Sequence, residues 1–266
     1  MVYRKATIVI KTINDIKGQL RGSNPTKRGV VFYRGPSQID GAPIIGIVNR
    51  ISTSSGNAKT GSMVQTFILN ERVHPVEALH SGDDRSVCGD CPHRMQSDGS
   101  RSCYVEVGKS VTSVWHAYNR GRYLMPEEYD IGLLTPLLAG LSLRCGTYGD
   151  PAAIPLQYWG LMVPLAKRVT GYTHQWQHFF AMGYKSFCMA SVDNDLEQTA
   201  ASAAGWRTFR VKAGGAPLLD QEIDCPSVQG VACADCSLCN GIRTTAKSIA
   251  IDAHGIGKGA FERRLG

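Results

Sequence analysis

The sequence predicts an α/β protein on a largely parallel sheet: an open or partial (β/α) barrel over residues 60–266, preceded by a basic, β-rich segment over residues 1–59. Three observations lead there. From about residue 141 short apolar, β-branched runs alternate with helical stretches, a β-α-β-α-β order that favours parallel strands joined by right-handed crossovers. Ahead of that region come strand-like runs with little helical pattern between them. The 266 residues are 43% hydrophobic and 19% charged, which is enough to bury a substantial core without covalent staples.

The elements follow in order. Ala6–Ile13, Gly29–Tyr33, Pro43–Val48 and Val64–Leu69 read as strands, with a Ser/Gly/Thr/Asn-rich loop over Ser52–Ser62. A long loop runs from Asn70 to Ser102, and a loop of that length in a compact domain is usually functional. Helices are expected over Val111–Arg120, Pro126–Leu138 and Leu156–Arg168, with Phe179–Gly183 as a short helix or turn. Strands are expected at Leu141–Cys145, Gly171–Gln175, Ser186–Ser191, Trp206–Val211 and Ser248–Asp252. An Ala-rich helix fills Asp195–Gly205. Asp193 or Asn194 stands at its N-cap, Asp193 being the first choice, and Gly205 ends it.

The net charge of +7 is uneven. Residues 1–60 carry ten Lys/Arg against Asp15 and Asp40, so the remaining 206 residues sum to −1. Residues 1–59 are thus a candidate surface for nucleic acid or another polyanion, with a solvated basic face as the plainer reading. No apolar run approaches the roughly 20 residues of a membrane span, so no membrane partner is expected. The apolar stretch Ala6–Ile10 is too short for a signal-peptide core. The expected compartment is a reducing cytoplasm, where clustered cysteines more often bind metal than pair.

There are nine cysteines, an odd number, and seven fall into two constellations. Cys225-Pro226 followed by Cys233-x-x-Cys236-x-x-Cys239 converges three closely spaced thiols and one more distant one. Ferredoxin-type runs hold an iron–sulfur cluster in this way, whereas structural zinc usually shows two separated C-x-x-C pairs. The second constellation is Cys88-Gly-Asp-Cys91-Pro-His, then Cys103-Tyr104. Three thiols leave one iron of a four-iron cluster open to a small molecule, as metal catalysis requires. Alternatively His93, Asp90 or Cys145 closes the site, or the loop holds zinc. Cys145 and Cys188 sit in or beside apolar strands and read as core residues. No nucleophile elbow and no phosphate loop is present.

The ordered set VQTFIL, SVCGDCPHR…SCYV, RCGTYGDPAAIP, GYTHQW, CMASVD, GWRTFRV, CPS…CADCSLCNG and SIAIDAHG resembles a family of mostly uncharacterised phage and bacterial proteins. That family is related to the gene-product-eighty-eight proteins of mycobacteriophages, which look like distant relatives of the radical S-adenosylmethionine (SAM) enzymes. The resemblance covers about residues 60–255. It implies a partial barrel of radical SAM type, in the host cytoplasm if phage-encoded, with Cys88, Cys91 and Cys103 after its first strand and an auxiliary cluster near the C-terminus. The implied cofactors are one or two [4Fe–4S] clusters, with SAM as a further candidate. In such enzymes the open iron binds the amino and carboxylate groups of SAM. An electron from the cluster then splits the sulfonium to a 5′-deoxyadenosyl radical that abstracts hydrogen. Radical SAM enzymes mostly carry C-x3-C-x2-C. Here Cys88 and Cys91 enclose two residues, and eleven more precede Cys103.

At the strand ends, where α/β sheets place ligands, Arg144, Gly149 and Asp150 form one candidate cofactor-binding loop, and Thr173 and His174 a second. Arg144 suits an anionic group and Asp150 a hydroxyl or amine. A Gly/Asp/Pro turn and a satisfied histidine are the plainer alternatives. His254 follows the last strand and could face the same end. The expected function is an iron–sulfur protein, either a radical SAM-like enzyme of unknown substrate or a non-catalytic protein binding nucleic acid or a host partner.

Overall fold

The computed structural model describes residues 9–21, 25–51, 57–242 and 246–265. Residues 6–8 of the strand expected at Ala6–Ile13 lie outside them, as do residues 52–56 of the expected loop. The described remainder departs from a strand. Ile10 makes a single bridge to Tyr129, and a helix, α1 (Ile13–Leu20), begins at the strand's expected end. Thr12 caps it, its hydroxyl accepting from the Asp15 N–H at 3.2 Å. Ile16 and Leu20, four residues apart, bury its inner face.

Three antiparallel strands come next: β1 (Gly29–Pro36), β2 (Pro43–Asn49) and β3 (Val64–Asn70). The connection after β3 is not one loop. It contains α2 (Pro75–Ser81) and α3 (Arg85–Cys88), then a wide turn at 107–111 leading into α4 (Thr112–Asn119). Pro75 sits in the first turn of α2, where a missing N–H costs nothing. A two-residue strand, β4 (Tyr123–Leu124), pairs with β1, and α5 (Leu134–Leu138) is all that forms of the helix expected from Pro126. Then come β5 (Ser142–Tyr148), α6 (Leu156–Gly160) and β6 (Arg168–Thr173). The helix expected over Leu156–Arg168 stops early because Gly160 and Pro164 interrupt it. A 3-10 segment (Phe179–Ser186), β7 (Met189–Val192), α7 (Asp195–Ala203), β8 (Thr208–Lys212) and the short β9 (Glu222–Asp224) lead to α8 (Cys233–Cys236), β10 (Ser248–Asp252) and α9 (Lys258–Leu265).

The ten strands form one sheet in the order β4-β1-β2-β3-β5-β6-β7-β8-β10-β9, and every neighbouring pair from β3 to β9 is parallel. The protein is therefore mixed α/β with a mostly parallel sheet. One apolar core joins β1–β3 to β5, β6 and the 3-10 segment around Phe32, Trp159 and Phe187. Strand alternation then assigns two faces. Along β6 and its end, Thr170, Tyr172 and His174 line a cavity, while Val169 and Thr173 face away from it.

Two connections position the cavity walls. Because β9 and β10 are parallel, residues 225–247 must return the length of a strand before β10 begins. In α7 the cap is Asn194, whose side chain accepts from the Glu197 N–H at 2.9 Å. Asp193, the first choice from sequence, is used elsewhere. Asn194→Ala is expected to lower stability by about 1 kcal/mol in denaturant unfolding. An unchanged midpoint would show that the cap contributes nothing.

Candidate functional site

A cavity of about 480 Å³ lies on the Tyr172 face of the sheet, and seven of the nine cysteines line it. The other two, Cys145 and Cys188, are buried in the packed core, as expected from sequence. This removes Cys145 as a ligand for the Cys88 group. Asp90 is removed as well: it is exposed and pairs with Arg85 at 3.1 Å.

The Cys225 group rides on the return from β9 to β10. The Cys225 N–H bonds the Ala250 carbonyl at 2.8 Å, tying the segment to β10. The Cys233 N–H bonds the Lys59 carbonyl at 2.9 Å, which draws α8 against the loop before β3. Ser237, at φ 61°, ends α8 in the left-handed region and turns the chain so that Cys239 faces inward. Buried Arg207 fixes the next stretch by donating to the carbonyls of Leu238, Asn240, Ala246 and Lys247. Arg168 adds a bond to the Ala234 carbonyl.

Burial pushes the Cys239 thiol up to about 12, and the neighbouring cysteines add to the shift; a Tyr172 hydroxyl bond opposes it. Burial also raises Cys233, against the pull of Arg144 and Lys59. Lys59 itself is pulled down by burial, with the thiols opposing, and its Nζ lies 2.7 Å from His254 Nε2. Arg144 donates to the Tyr104 hydroxyl at 2.7 Å, and its buried Nε has no hydrogen-bond partner.

The Cys88 group sits at the C-terminal ends of β5 to β7. Cys88 ends α3, and the chain reverses at Gly89, φ 60°, where a Cβ would stand 2.2 Å from the Gln175 amide nitrogen. Arg94 holds this turn closed. It bonds the Asp84 carboxylate through Nε at 2.9 Å, and the carbonyls of Gly82 and Gly89. The Cys103 N–H bonds the His93 carbonyl at 3.0 Å, bringing the third cysteine back beside the first two. Cys91 Sγ is 4.0 Å from His174 Nε2. Burial raises all three thiols. Proximity to Cys91 and Cys103 raises Cys88 further.

At Cys88, Cys91, Cys103, Cys233 and Cys239, then, burial opposes a bare thiolate, and a bound cation is what would stabilise the deprotonated form. In neither group do three sulfurs come within 4.8 Å of one another among the described residues. One tetrahedral zinc at about 2.3 Å holds its sulfurs about 3.8 Å apart, so neither group is set at the spacing of a single zinc ion. Tyr172 beside Cys239 and His174 beside Cys91 are two residues apart on one strand face, about 7 Å. The two groups therefore open onto the same space.

The remaining sequence-predicted residues divide. Arg144, Gly149, Asp150, His174 and His254 line the cavity. Thr173 does not. One position along β6 puts it on the opposite face, 1% exposed, where its hydroxyl accepts from the Gln175 N–H at 3.0 Å. Gly149, at φ 81°, has no room for a side chain: a Cβ would meet Ile68 at 2.7 Å. Burial raises Asp150 to about 6, although it accepts from the N–H groups of Ala152 and His174. Burial lowers His174 to about 4. Sequence reasoning missed Lys59 and Tyr104 as cavity residues, and missed that Asp193 meets His93 Nε2 at 2.8 Å. Only the fold joins these positions. Comparison with protein-family models, with curated proteins and with solved structures returned no match.

Proposed function

We propose that this chain is an iron–sulfur protein in which two clusters face one cavity, and that the cluster on Cys88, Cys91 and Cys103 is the reactive one. The supporting observation is the convergence of seven cysteines, from two widely separated stretches of the sequence, on a single space of about 480 Å³. In this reading Cys225, Cys233, Cys236 and Cys239 hold a closed cluster. The other group supplies three thiolates and leaves one iron open toward the cavity. A bound cluster supplies one electron at a time and, at its open iron, a coordination site.

The chain's own residues do the rest. Lys59 and Arg144 set positive charge beside the Cys233 and Cys239 sulfurs and so offset the negative charge that a thiolate-bound centre carries. The Tyr172 hydroxyl bonds Cys239 and stabilises its thiolate. Phe209, Val211, Ile251 and Leu238 form an apolar wall that keeps water from the sulfurs. Asp150 fixes the backbone of His174 at the mouth. The parallel run from β3 to β9 is read as a partial barrel of radical SAM type, and SAM as the co-substrate for the open iron.

Anaerobic purification with iron and sulfide analysis tests this, together with the electron paramagnetic resonance spectrum of the reduced protein with and without SAM. About eight irons per chain and a spectrum perturbed by SAM are expected. About four irons and no response to SAM would leave one closed cluster and favour a binding protein. No iron at all would end the proposal. Within the basic segment, as far as it is described, Lys11, Arg21, Arg28 and Arg50 are exposed and remain available to a polyanion. Lys27 and Arg34 are already engaged, by Glu128 at 3.5 Å and Glu71 at 2.6 Å.

A further inference from the structure

We infer that His93, His174 and Asp193 form a binding site for a single divalent first-row metal ion, separate from any iron–sulfur cluster. Three elements bring them together: the loop after α3, the end of β6 and the end of β7. One ligand atom from each lies within 4.8 Å of the other two, the only such group of His, Cys, Asp and Glu among the described residues. His93 Nε2 and Asp193 Oδ1 are 2.8 Å apart. Ligands about 2.1 Å from one ion stand roughly 3 Å apart when cis, so this pair already has the spacing of two cis ligands. The rings of His93 and His174 meet edge to face with centroids 5.4 Å apart, within reach of a shared ion.

The surroundings resemble a supported metal site more than a lone ion pair. The second nitrogen of His93, Nδ1, lies 2.9 Å from the Ser102 hydroxyl, which fixes the ring and aims Nε2 at Asp193. Phe261 packs against the His93 ring, tilted by 36° with centroids 5.6 Å apart. The Glu197 carboxylate accepts from the Asp193 N–H at 2.8 Å and anchors that backbone. All three side chains are partly buried and line the cavity. Two imidazoles and one carboxylate leave coordination positions free on that side, the ligand set of an open site. One contact opposes a cation: Arg264 Nη2 is 4.0 Å from Asp193 Oδ1. That side chain is one-third exposed, lies on α9 and is held by the Pro92 carbonyl, so an entering ion must bind Asp193 against it.

The probe is Mn2+, which favours nitrogen and oxygen over thiolate and whose free form gives a room-temperature six-line resonance that fades on binding. Titrated into the protein as purified without oxygen, it should bind with one ion per chain. Asp193→Asn keeps the shape and the hydrogen bond from His93 but removes the charge; it should weaken binding at least about tenfold. So should Ser102→Ala, which touches no ligand atom. Far-ultraviolet circular dichroism identical to the parent confirms that the variants fold. Absence of binding in the parent, or equal affinity in parent and Asp193→Asn, overturns the inference. Iron is counted in the same samples. Iron-free protein that binds Mn2+ defeats the cluster proposal and leaves this one standing; iron-loaded protein that binds none does the reverse.

Discussion

Arg207→Met is expected to destabilise the protein by about 3–5 kcal/mol and to release iron from the C-terminal cysteine group. Arg207 is 4% exposed, and its guanidinium donates to the carbonyls of Leu238, Asn240, Ala246 and Lys247. Removing the donor leaves those carbonyls with one bond fewer inside the protein. A lost charge-assisted bond costs about 1.5–3 kcal/mol, and the losses here are not fully additive because water reaches part of the loop. Arg207→Lys should recover less than half, since an ammonium is a compact charge while the planar fork reaches several carbonyls at once. Denaturant unfolding, with iron counted before and after, reads both effects. A Met variant within about 1 kcal/mol of the parent and with full iron would mean that the loop holds itself.

Cys239→Ser is the second large effect. With two clusters it should remove about half the iron, roughly four per chain, and leave the Cys88 group loaded and responsive to SAM. Cys91→Ser should do the reverse, abolishing the SAM response and sparing the C-terminal cluster. Cys188→Ala is the control. Its sulfur is buried in the core, and its loss should leave iron unchanged. Iron that falls equally in all three variants would point to general unfolding. Iron that falls in none would place the metal elsewhere.

Much of the sheet could be read in advance because β-branched apolar runs carry their own signal. That held for Val64–Asn70, Ser142–Tyr148 and Ser248–Asp252. Failures came where local pattern and tertiary context diverged. The helix Ile13–Leu20 contains Gly18 and polar residues and gains its place from burying Ile16 and Leu20. The strands Tyr123–Leu124 and Glu222–Asp224 are too short to show a period and exist only because a neighbouring edge accepts them. The cysteines were legible because spacing along the chain is itself the signal. Thr173 was misplaced by a single step, which in a strand reverses the face. The pairing of Asp193 with His93 had no signal at all, because a hundred residues of chain separate them and only the return of the loop after α3 to the end of β7 brings them together.

The position of β10 between β8 and β9 also bears on how the chain matures as it leaves the ribosome. From β2 to β8 each strand finds an earlier-made neighbour as soon as it emerges, but β9 pairs only with β10, which is synthesised after it. Until Ser248–Asp252 emerges, the edge of β8 stays open and the wall carrying Cys225 to Cys239 hangs loose. The space that those cysteines later share with Cys88, Cys91 and Cys103 thus stays open to solvent during synthesis. Its sealing is left to the last strand, so loading of the proposed metal centres and completion of the sheet would belong to the same brief interval.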